Sequence, residues 1–109
     1  MQTTAGYRGH RFLVDTGADL TVVPRRYAEE VGLDWDRLPS LPIIGVTPGR
    51  VAARLGSLTI RIGEIELVVR CLFMDQGVNP FILGRADVLD RFVLTVDAGQ
   101  GKITFTEIV

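Results

Sequence analysis

The chain has 109 residues, of which 47% are hydrophobic and 23% are charged, and its formal net charge at pH 7 is −1. This length predicts a single domain over residues 1–109 with a modest hydrophobic core. The near-neutral charge indicates no nucleic-acid partner. No apolar run approaches the roughly 20 residues that span a bilayer, so we expect no membrane contact from this chain itself.

Short apolar runs separated by glycine and proline give the first half of the chain a β-rich pattern. Strands are expected at residues 2–6, 12–14 and 20–23. Pro24 suits the first position of a short helix over residues 25–31, which Gly32 would end. Residues 33–41 are expected to form a surface connection that places Trp35 at an edge of the core.

The second half continues the β pattern, after a segment at residues 42–51 whose two apolar arms and Gly/Pro tip are typical of a hairpin or mobile flap. Strands are expected at residues 51–55, 58–62, 65–74, 81–83, 92–96 and 102–109. Residues 86–91 fit a short helix, with the Asp87 carboxylate favourable in its first turn. These elements predict an all-β fold, a small barrel or sandwich with one or two short helices.

An aspartate interrupts the apolar pattern where the strand at residues 12–14 ends, in the sequence Asp15-Thr16-Gly17. A carboxylate at the end of a buried strand is costly unless it is paired or held by hydrogen bonds. The adjacent glycine allows a tight turn and the close approach of another backbone. A carboxylate that activates water explains this combination, and the alternative is an aspartate that caps a turn.

The segment around Asp15 has a counterpart later in the chain. Residues 12–20 and 81–89 both contain an apolar strand, a glycine turn, an Ala-Asp pair and a leucine. The two segments are either a chance match or parts of two halves with similar local topology.

The chain contains one cysteine and one histidine. A single cysteine excludes an internal disulfide and a cysteine-built metal site. Cys71 lies in an apolar run and is expected to be a small buried side chain. His10 lies in a polar turn, where we expect a solvated loop residue rather than half of a catalytic Ser-His or Cys-His pair.

The chain resembles the retropepsin-like aspartic proteases, which include retroviral, bacterial and DNA-damage-inducible-type cellular members. The resemblance rests on residues 13–19, 44–49, 82–85 and 92–103, in the family's order. It implies a small closed barrel of the retropepsin type. It also implies a homodimer, because one Asp-Thr-Gly supplies one carboxylate and the family reaction uses two. The hairpin at residues 92–109 could build the dimer sheet.

The resemblance implies that Asp15, Thr16 and Gly17 are the catalytic residues. The two Asp15 carboxylates of the dimer would share a proton, so that one activates water and the other donates to the peptide carbonyl oxygen. The Thr16 hydroxyl would bond across the dimer, and Gly17 would offer its backbone to the substrate. No metal or cofactor is implied.

Family positions also imply a set of substrate contacts, partly from a flap and partly from apolar subsites. The implied substrate-binding residues are Ala18, Asp19, Leu20, Val22, Ile44, Gly45, Val46, Pro80 and Ile82. Asp19 is further expected to form a buried ion pair with Arg85. The alternatives are an ordinary hairpin in place of the flap, simple core packing of the apolar residues and a purely structural ion pair.

The sequence therefore predicts a homodimeric aspartic endopeptidase that acts on a peptide or protein substrate. The rivals are a catalytically silent dimerisation or peptide-binding module, a zymogen-like form active only in a longer chain, and an unrelated β-barrel with a chance motif. Residues 1–6 are neither charged nor apolar enough for a signal peptide. The cytoplasm is thus the default location, with a domain of a longer or membrane-tethered protein as the alternative.

Overall fold

The computed structural model describes residues 1–41, 53–75 and 81–108. These residues are mostly in β-strands, as the sequence pattern predicted. The strands are β1 (Gln2–Thr3), β2 (Gly6–Tyr7), β3 (Phe12–Val14), β4 (Thr21–Pro24), β5 (Ser40–Leu41), β6 (Ala53–Ile62), β7 (Ile65–Met74), β8 (Phe81–Leu83), β9 (Phe92–Asp97) and β10 (Lys102–Glu107). One α-helix, α1 (Arg26–Glu30), and two 3₁₀ turns, Trp35–Arg37 and Leu89–Arg91, complete the described elements. No helix in these ranges is long and apolar enough to cross a membrane.

Six strands form the main sheet, in the order β3-β8-β4-β7-β6-β5. Its largest part is the antiparallel hairpin of β6 and β7, which pair along ten residues and turn at Gly63 and Glu64. On the other side of β7, β4 runs parallel to it, and β3 runs parallel to β8. Two further hairpins, β1–β2 and β9–β10, form separate two-stranded sheets.

The main sheet is open within the described ranges, which corrects the expected closed barrel. Its edge strands are β3 and β5, with three and two residues, and no pairing joins them. Closure of a barrel requires continuous hydrogen bonding between the first and last strands. Strands as short as these provide few backbone groups for that pairing.

The core lies on the inner face of the β6–β7 hairpin. Alternate residues of β7 are buried while Val68 and Arg70 between them are exposed, which is the period of two expected for a half-buried strand. The buried residues of this strand are Leu67, Val69, Cys71 and Phe73. Cys71 is thus the buried side chain that its apolar context predicted, and burial raises the pKa of its thiol to about 12.

Trp35 covers an edge of the core, as expected. Its side chain is buried, and the guanidinium groups of Arg25 and Arg54 lie 4.4 and 5.1 Å from its ring centroid. Helix α1 precedes it and ends near Gly32, whose φ of 85° allows the chain to leave the helix in the left-handed conformation.

The structure corrects the predicted break between strands at residues 56–57, because β6 continues through them. Gly56 is not a turn residue. A Cβ at this position would lie 2.9 Å from the Phe73 side chain and 3.2 Å from that of Leu33. The glycine therefore permits close packing under the sheet, which local sequence patterns alone do not reveal.

The N-terminal prediction also needs correction, because residues 2–6 form the β1–β2 hairpin rather than one strand. The Thr3 hydroxyl donates to the Gly6 carbonyl at 2.6 Å and accepts from the Ala5 N–H at 3.1 Å, which closes the turn. His10 follows this hairpin and is half-buried rather than solvated. Its ring centroid lies 4.6 Å from that of Phe81 and 5.0 Å from that of Tyr27.

The predicted helix over residues 86–91 is reduced to a 3₁₀ turn at Leu89–Arg91. Asp87 has a φ of 66°, which lies in the left-handed region and is incompatible with the first turn of an α-helix. The Asp87 side chain instead contacts the main sheet.

Candidate active site

Asp15 lies directly after β3, in a turn closed by its own backbone. Its N–H donates to the Leu83 carbonyl at 3.1 Å, which continues the β3–β8 ladder by one residue. The Asp15 Oδ1 atom accepts from the Gly17 N–H at 2.9 Å, and the Ala18 N–H donates to the Asp15 carbonyl at 3.1 Å. The turn therefore orients a half-buried carboxylate, while Thr16 and Gly17 are exposed.

Glycine at position 17 leaves room for this contact. A Cβ built on Gly17 would lie 3.2 Å from the Asp15 Oδ1 atom, a tighter contact than side chains normally make. The hydrogen bond from a backbone N–H to a carboxylate is charge-assisted and offsets part of the desolvation of Asp15. The Asp-Thr-Gly turn thus fixes one carboxylate oxygen.

A second turn, after β8, packs against the first through Gly84. A Cβ on Gly84 would lie 2.3 Å from the backbone C and O atoms of Leu20, so only glycine allows this approach. The Gly84 N–H donates to the Thr21 hydroxyl at 3.1 Å. Thr21 is fully buried, and the sequence interpretation missed it. The available signal was a single hydroxyl in an otherwise apolar run.

Backbone hydrogen bonds join the two turns. The N–H of Arg85 donates to the Ala18 carbonyl, and that of Ala86 donates to the Asp19 carbonyl, both at 2.9 Å. These bonds hold the segment after Asp15 against the segment after Gly84. The position of the Asp15 loop therefore depends on the second turn.

The counterpart segments noted in the sequence are neighbours in the sheet. Phe12 pairs with Phe81 and Val14 with Leu83, in parallel and without a shift in register. Parallel strands in register end at the same edge of a sheet, so the turns after β3 and β8 lie side by side. The two counterpart segments thus meet at Asp15.

The structure brings Asp19 and Arg85 together as predicted, with an ion pair between their side chains. The expectation of burial is wrong for a single chain, in which the Asp19 and Arg85 side chains are 83% and 51% exposed. Both residues belong to surface turns rather than to strands, so solvent surrounds the pair. An exposed pair of this kind contributes about 0–1 kcal/mol to stability.

An apolar row lies beside Asp15 on the sheet. Leu13 pairs with Ile82, and Ile82 also pairs with Val22, so the three side chains share one face across β3, β8 and β4. Leu13 is 57% exposed, which identifies this face as the open one. Alternation along the strand places Asp15 on the same face as Leu13.

The predicted substrate-binding residues Val22 and Ile82 thus lie together, and Leu13 joins them although the sequence interpretation omitted it. The alternation of Phe12, Leu13 and Val14 in a half-buried strand was the signal that could have found it. Ala18 and Leu20 are half-buried in the loop that follows Asp15.

The other predicted substrate contacts, Ile44, Gly45, Val46 and Pro80, lie outside the described residues. The predicted flap at residues 42–51 lies outside them as well. Within the described ranges, no group of three or more histidine, cysteine or acidic side chains is arranged to hold a metal ion.

Two of the surface cavities are not lined by Asp15. One, of about 470 Å³, is lined by residues that include His10, Phe12 and Phe105, and the other, of about 420 Å³, by residues that include Arg26 and Trp35. Among the described residues, the Asp15 turn stands beside the open face of the sheet that carries Leu13.

Residues 2–91 match the family described as "gag-polyprotein putative aspartyl protease". The chain is also 31% identical over 108 residues to the DNA damage-inducible protein 1 of Yarrowia lipolytica, a match that covers 89% of this chain and 27% of that protein. The chain thus spans about a quarter of this relative's length. It belongs to this aspartyl protease family, and the retropepsin-like resemblance is confirmed.

Solved structures with the same fold come from a eukaryote and a bacterium. The retroviral protease-like domain of Ddi1 from Leishmania major aligns with a TM-score of 0.61 at 21% identity, over 91% of this chain and 80% of that one. A retropepsin-like aspartic protease from Rickettsia conorii aligns with a TM-score of 0.59 at 24% identity, over 79% and 72%. At these identities the likeness establishes the fold alone.

Proposed function

We propose that this chain is an aspartic endopeptidase that hydrolyses peptide bonds with two Asp15 carboxylates, one from each subunit of a homodimer. The main support is the Asp15 turn, in which the Gly17 N–H fixes a half-buried carboxylate at the open edge of the sheet. An aspartate that only capped a turn would need neither the adjoining apolar row nor the second turn packed against it through Gly84.

The chemistry follows from the proximity of two carboxylates. Two such groups about 3 Å apart cannot both ionise at acceptable cost, so the pair shares one proton. The ionised member removes a proton from a water molecule that attacks the peptide carbonyl carbon. The protonated member donates its proton to the carbonyl oxygen. The C–N bond of the resulting tetrahedral intermediate then breaks, as the leaving amine takes up the proton that the dyad removed from water. No covalent bond to the protein forms.

The substrate in this proposal is an extended peptide with apolar side chains next to the cleaved bond. The row of Leu13, Val22 and Ile82 offers an apolar surface on the same face as Asp15. An extended peptide that lies along a sheet gains main-chain hydrogen bonds, while alternate side chains enter subsites. The contribution of the flap residues Ile44, Gly45 and Val46 stays a prediction from the resemblance.

The homodimer is supported by the β9–β10 hairpin. Val96 and Ile103 are directly opposite each other, on the same face as the pair Leu94 and Phe105. Val96 is 71% and Ile103 45% exposed, so the apolar face continues from the core onto the surface. An isolated two-stranded hairpin is marginally stable, and a second copy would cover this face.

Cleavage of a mixture of apolar peptides, followed by mass spectrometry between pH 4 and 7, tests the proposal. Asp15→Asn is expected to lower the cleavage rate at least about a thousandfold, because the amide can neither share a proton nor act as a base. Asp34→Asn is the matched control, since the Asp34 carboxylate also accepts from the backbone N–H two residues on, in an exposed turn.

The rival functions give different results in the same experiment. A catalytically silent module would bind the peptides without cleaving them, in wild type and Asp15→Asn alike. Cleavage that persists in Asp15→Asn would mean that another group performs the reaction, and the proposed function would be wrong.

A further inference from the structure

A second aspartate, Asp87, occupies the turn that adjoins the Asp15 loop. Within the described ranges it is the only residue other than glycine with a positive φ, at 66°. Aspartate tolerates the left-handed conformation better than most side chains. This conformation brings the Asp87 carboxylate to the main sheet.

Arg70 of β7 supplies three donors to this carboxylate. Its backbone N–H and its Nε–H donate to Asp87 Oδ2 at 3.0 and 2.8 Å, and its Nη2 donates to Oδ1 at 3.2 Å. The hydrogen bonds from the Arg70 guanidinium and backbone, with the charge of Arg91 as a lesser cause, lower the pKa of Asp87. The carboxylate thus stays ionised into the acidic range.

The position of Arg70 in the sheet explains why its backbone N–H is not used in strand pairing and can donate to Asp87. Pairing between β4 and β7 begins with Thr21 and Cys71, so Arg70 stands one residue outside that ladder. The Asp87 carboxylate takes the position that a further β4 residue would have filled. The turn is thereby attached to the middle of a ten-residue strand.

From this attachment, contacts continue to the Asp15 loop. The same turn donates from the Arg85 and Ala86 N–H groups to the carbonyls of Ala18 and Asp19. Ala18 in turn donates its N–H to the Asp15 carbonyl. The turn that the Asp87 carboxylate attaches to Arg70 is therefore joined, by way of the backbone hydrogen bonds of Ala18, to the Asp15 loop.

We infer that Asp87 and Arg70 are positioning residues, which hold the turn after Gly84 in place and through it the Asp15 loop. Their effect on catalysis rests on the proposed function, whereas their effect on the loop does not. A carboxylate held in a productive geometry is sensitive to displacements of about 1 Å, which can lower a rate on the order of a hundredfold.

Two variants remove the contact without straining the backbone. Asp87→Gly removes the carboxylate and keeps the left-handed conformation accessible. Arg70→Met removes the guanidinium group and keeps an apolar side chain of similar length. Glu30→Gln is the matched control, because Glu30 forms a similarly exposed ion pair with Arg8, apart from the Asp15 loop.

Amide hydrogen exchange provides the readout that does not depend on activity. In Asp87→Gly and Arg70→Met, the Arg85 and Ala86 amides are expected to exchange about tenfold faster, because local opening of their bonds becomes easier. Glu30→Gln is expected to leave both rates unchanged. Unchanged exchange in the two positioning variants would overturn the inference, whatever their activity.

Kinetics then test the catalytic consequence. Both variants are expected to lower kcat about tenfold with KM within about twofold, since the loop is displaced while the apolar row is retained. Unchanged kcat despite faster exchange would contradict the catalytic role.

Two milder variants keep the test decisive if the others fail to fold. Asp87→Asn keeps the backbone conformation and one acceptor, and Arg70→Lys keeps the positive charge, so smaller changes in the same direction are expected. If wild type cleaves nothing, the proposed function fails, while the exchange rates still decide whether Asp87 and Arg70 position the loop.

Discussion

At the scale of single residues, the closest approach between the two turns occurs at Gly84, which cannot accept a side chain. In Gly84→Ala the new Cβ would meet the Leu20 carbonyl at 2.3 Å, and backbone atoms cannot move aside as a side-chain end can. We expect a loss of about 3 kcal/mol or more in the free energy of unfolding. Urea denaturation measures it.

Gly9→Ala is the control for that substitution, because among the described residues no heavy atom beyond its chain neighbours lies within 4 Å of a Cβ at Gly9. It is expected to change the free energy of unfolding by less than about 1 kcal/mol. Equal stability of the two variants would show that the turns do not approach as described.

His10 gives a pH dependence whose sign follows from its surroundings. Burial, with the nearby α-amino group and Arg8, lowers the pKa of His10 in the folded chain. As pH falls below about 6.5, the unfolded chain binds the proton first, so the free energy of unfolding decreases until the folded pKa is reached.

The substitution His10→Phe keeps a ring between Tyr27 and Phe81 and removes the titration. Its stability is therefore expected to depend less on pH between 7 and 5 than that of wild type. Because the carboxylates are common to both proteins, the difference between their denaturation curves isolates His10. An identical pH dependence would contradict the account of its burial.

A local pattern singled out Asp15, because a charged residue directly after an apolar strand is visible in the sequence, whereas Val22 and Ile82 came from the family resemblance. Local patterns could not reveal Thr21 or the role of Asp87. Both act through partners more than ten positions away, Gly84 for Thr21 and Arg70 for Asp87. Such contacts become visible only when the strands are placed side by side.

At the scale of elements, the distinction between local and long-range contacts also separates the hairpins from the rest of the sheet. The β6–β7 and β9–β10 hairpins join neighbouring segments with short turns and followed from the sequence pattern. The parallel pairs β3–β8 and β4–β7 join segments far apart in the chain. Their order depends on packing between distant residues, which periodicity does not encode.

The apolar face of the β9–β10 hairpin is expected to contribute to self-association. Val96→Lys places a charge on the apolar face that we assign to the dimer, and is expected to weaken self-association at least about tenfold. Val68→Lys is the control, because Val68 is 70% exposed, compared with 71% for Val96, and lies on β7. Sedimentation across a concentration series measures the self-association of both variants. Equal effects of the two substitutions would remove the hairpin from the interface.

At the scale of the whole molecule, one chain carries half of the proposed chemistry. It has one Asp-Thr-Gly turn, an apolar row open to solvent and an ion pair between exposed side chains. In the proposed dimer, a second copy of the chain would supply the other Asp15 carboxylate. The relatives from Leishmania major and Rickettsia conorii share this fold at low identity, so activity has to be judged from the site.

The most direct test of the shared dyad is to mix wild type with Asp15→Asn at constant total concentration, under conditions where both are dimeric. If each active site needs Asp15 from both subunits, random exchange makes activity fall with the square of the wild-type fraction, to about one quarter in an equal mixture. A linear fall, to about one half, would mean that each Asp15 acts alone and would contradict the homodimeric dyad.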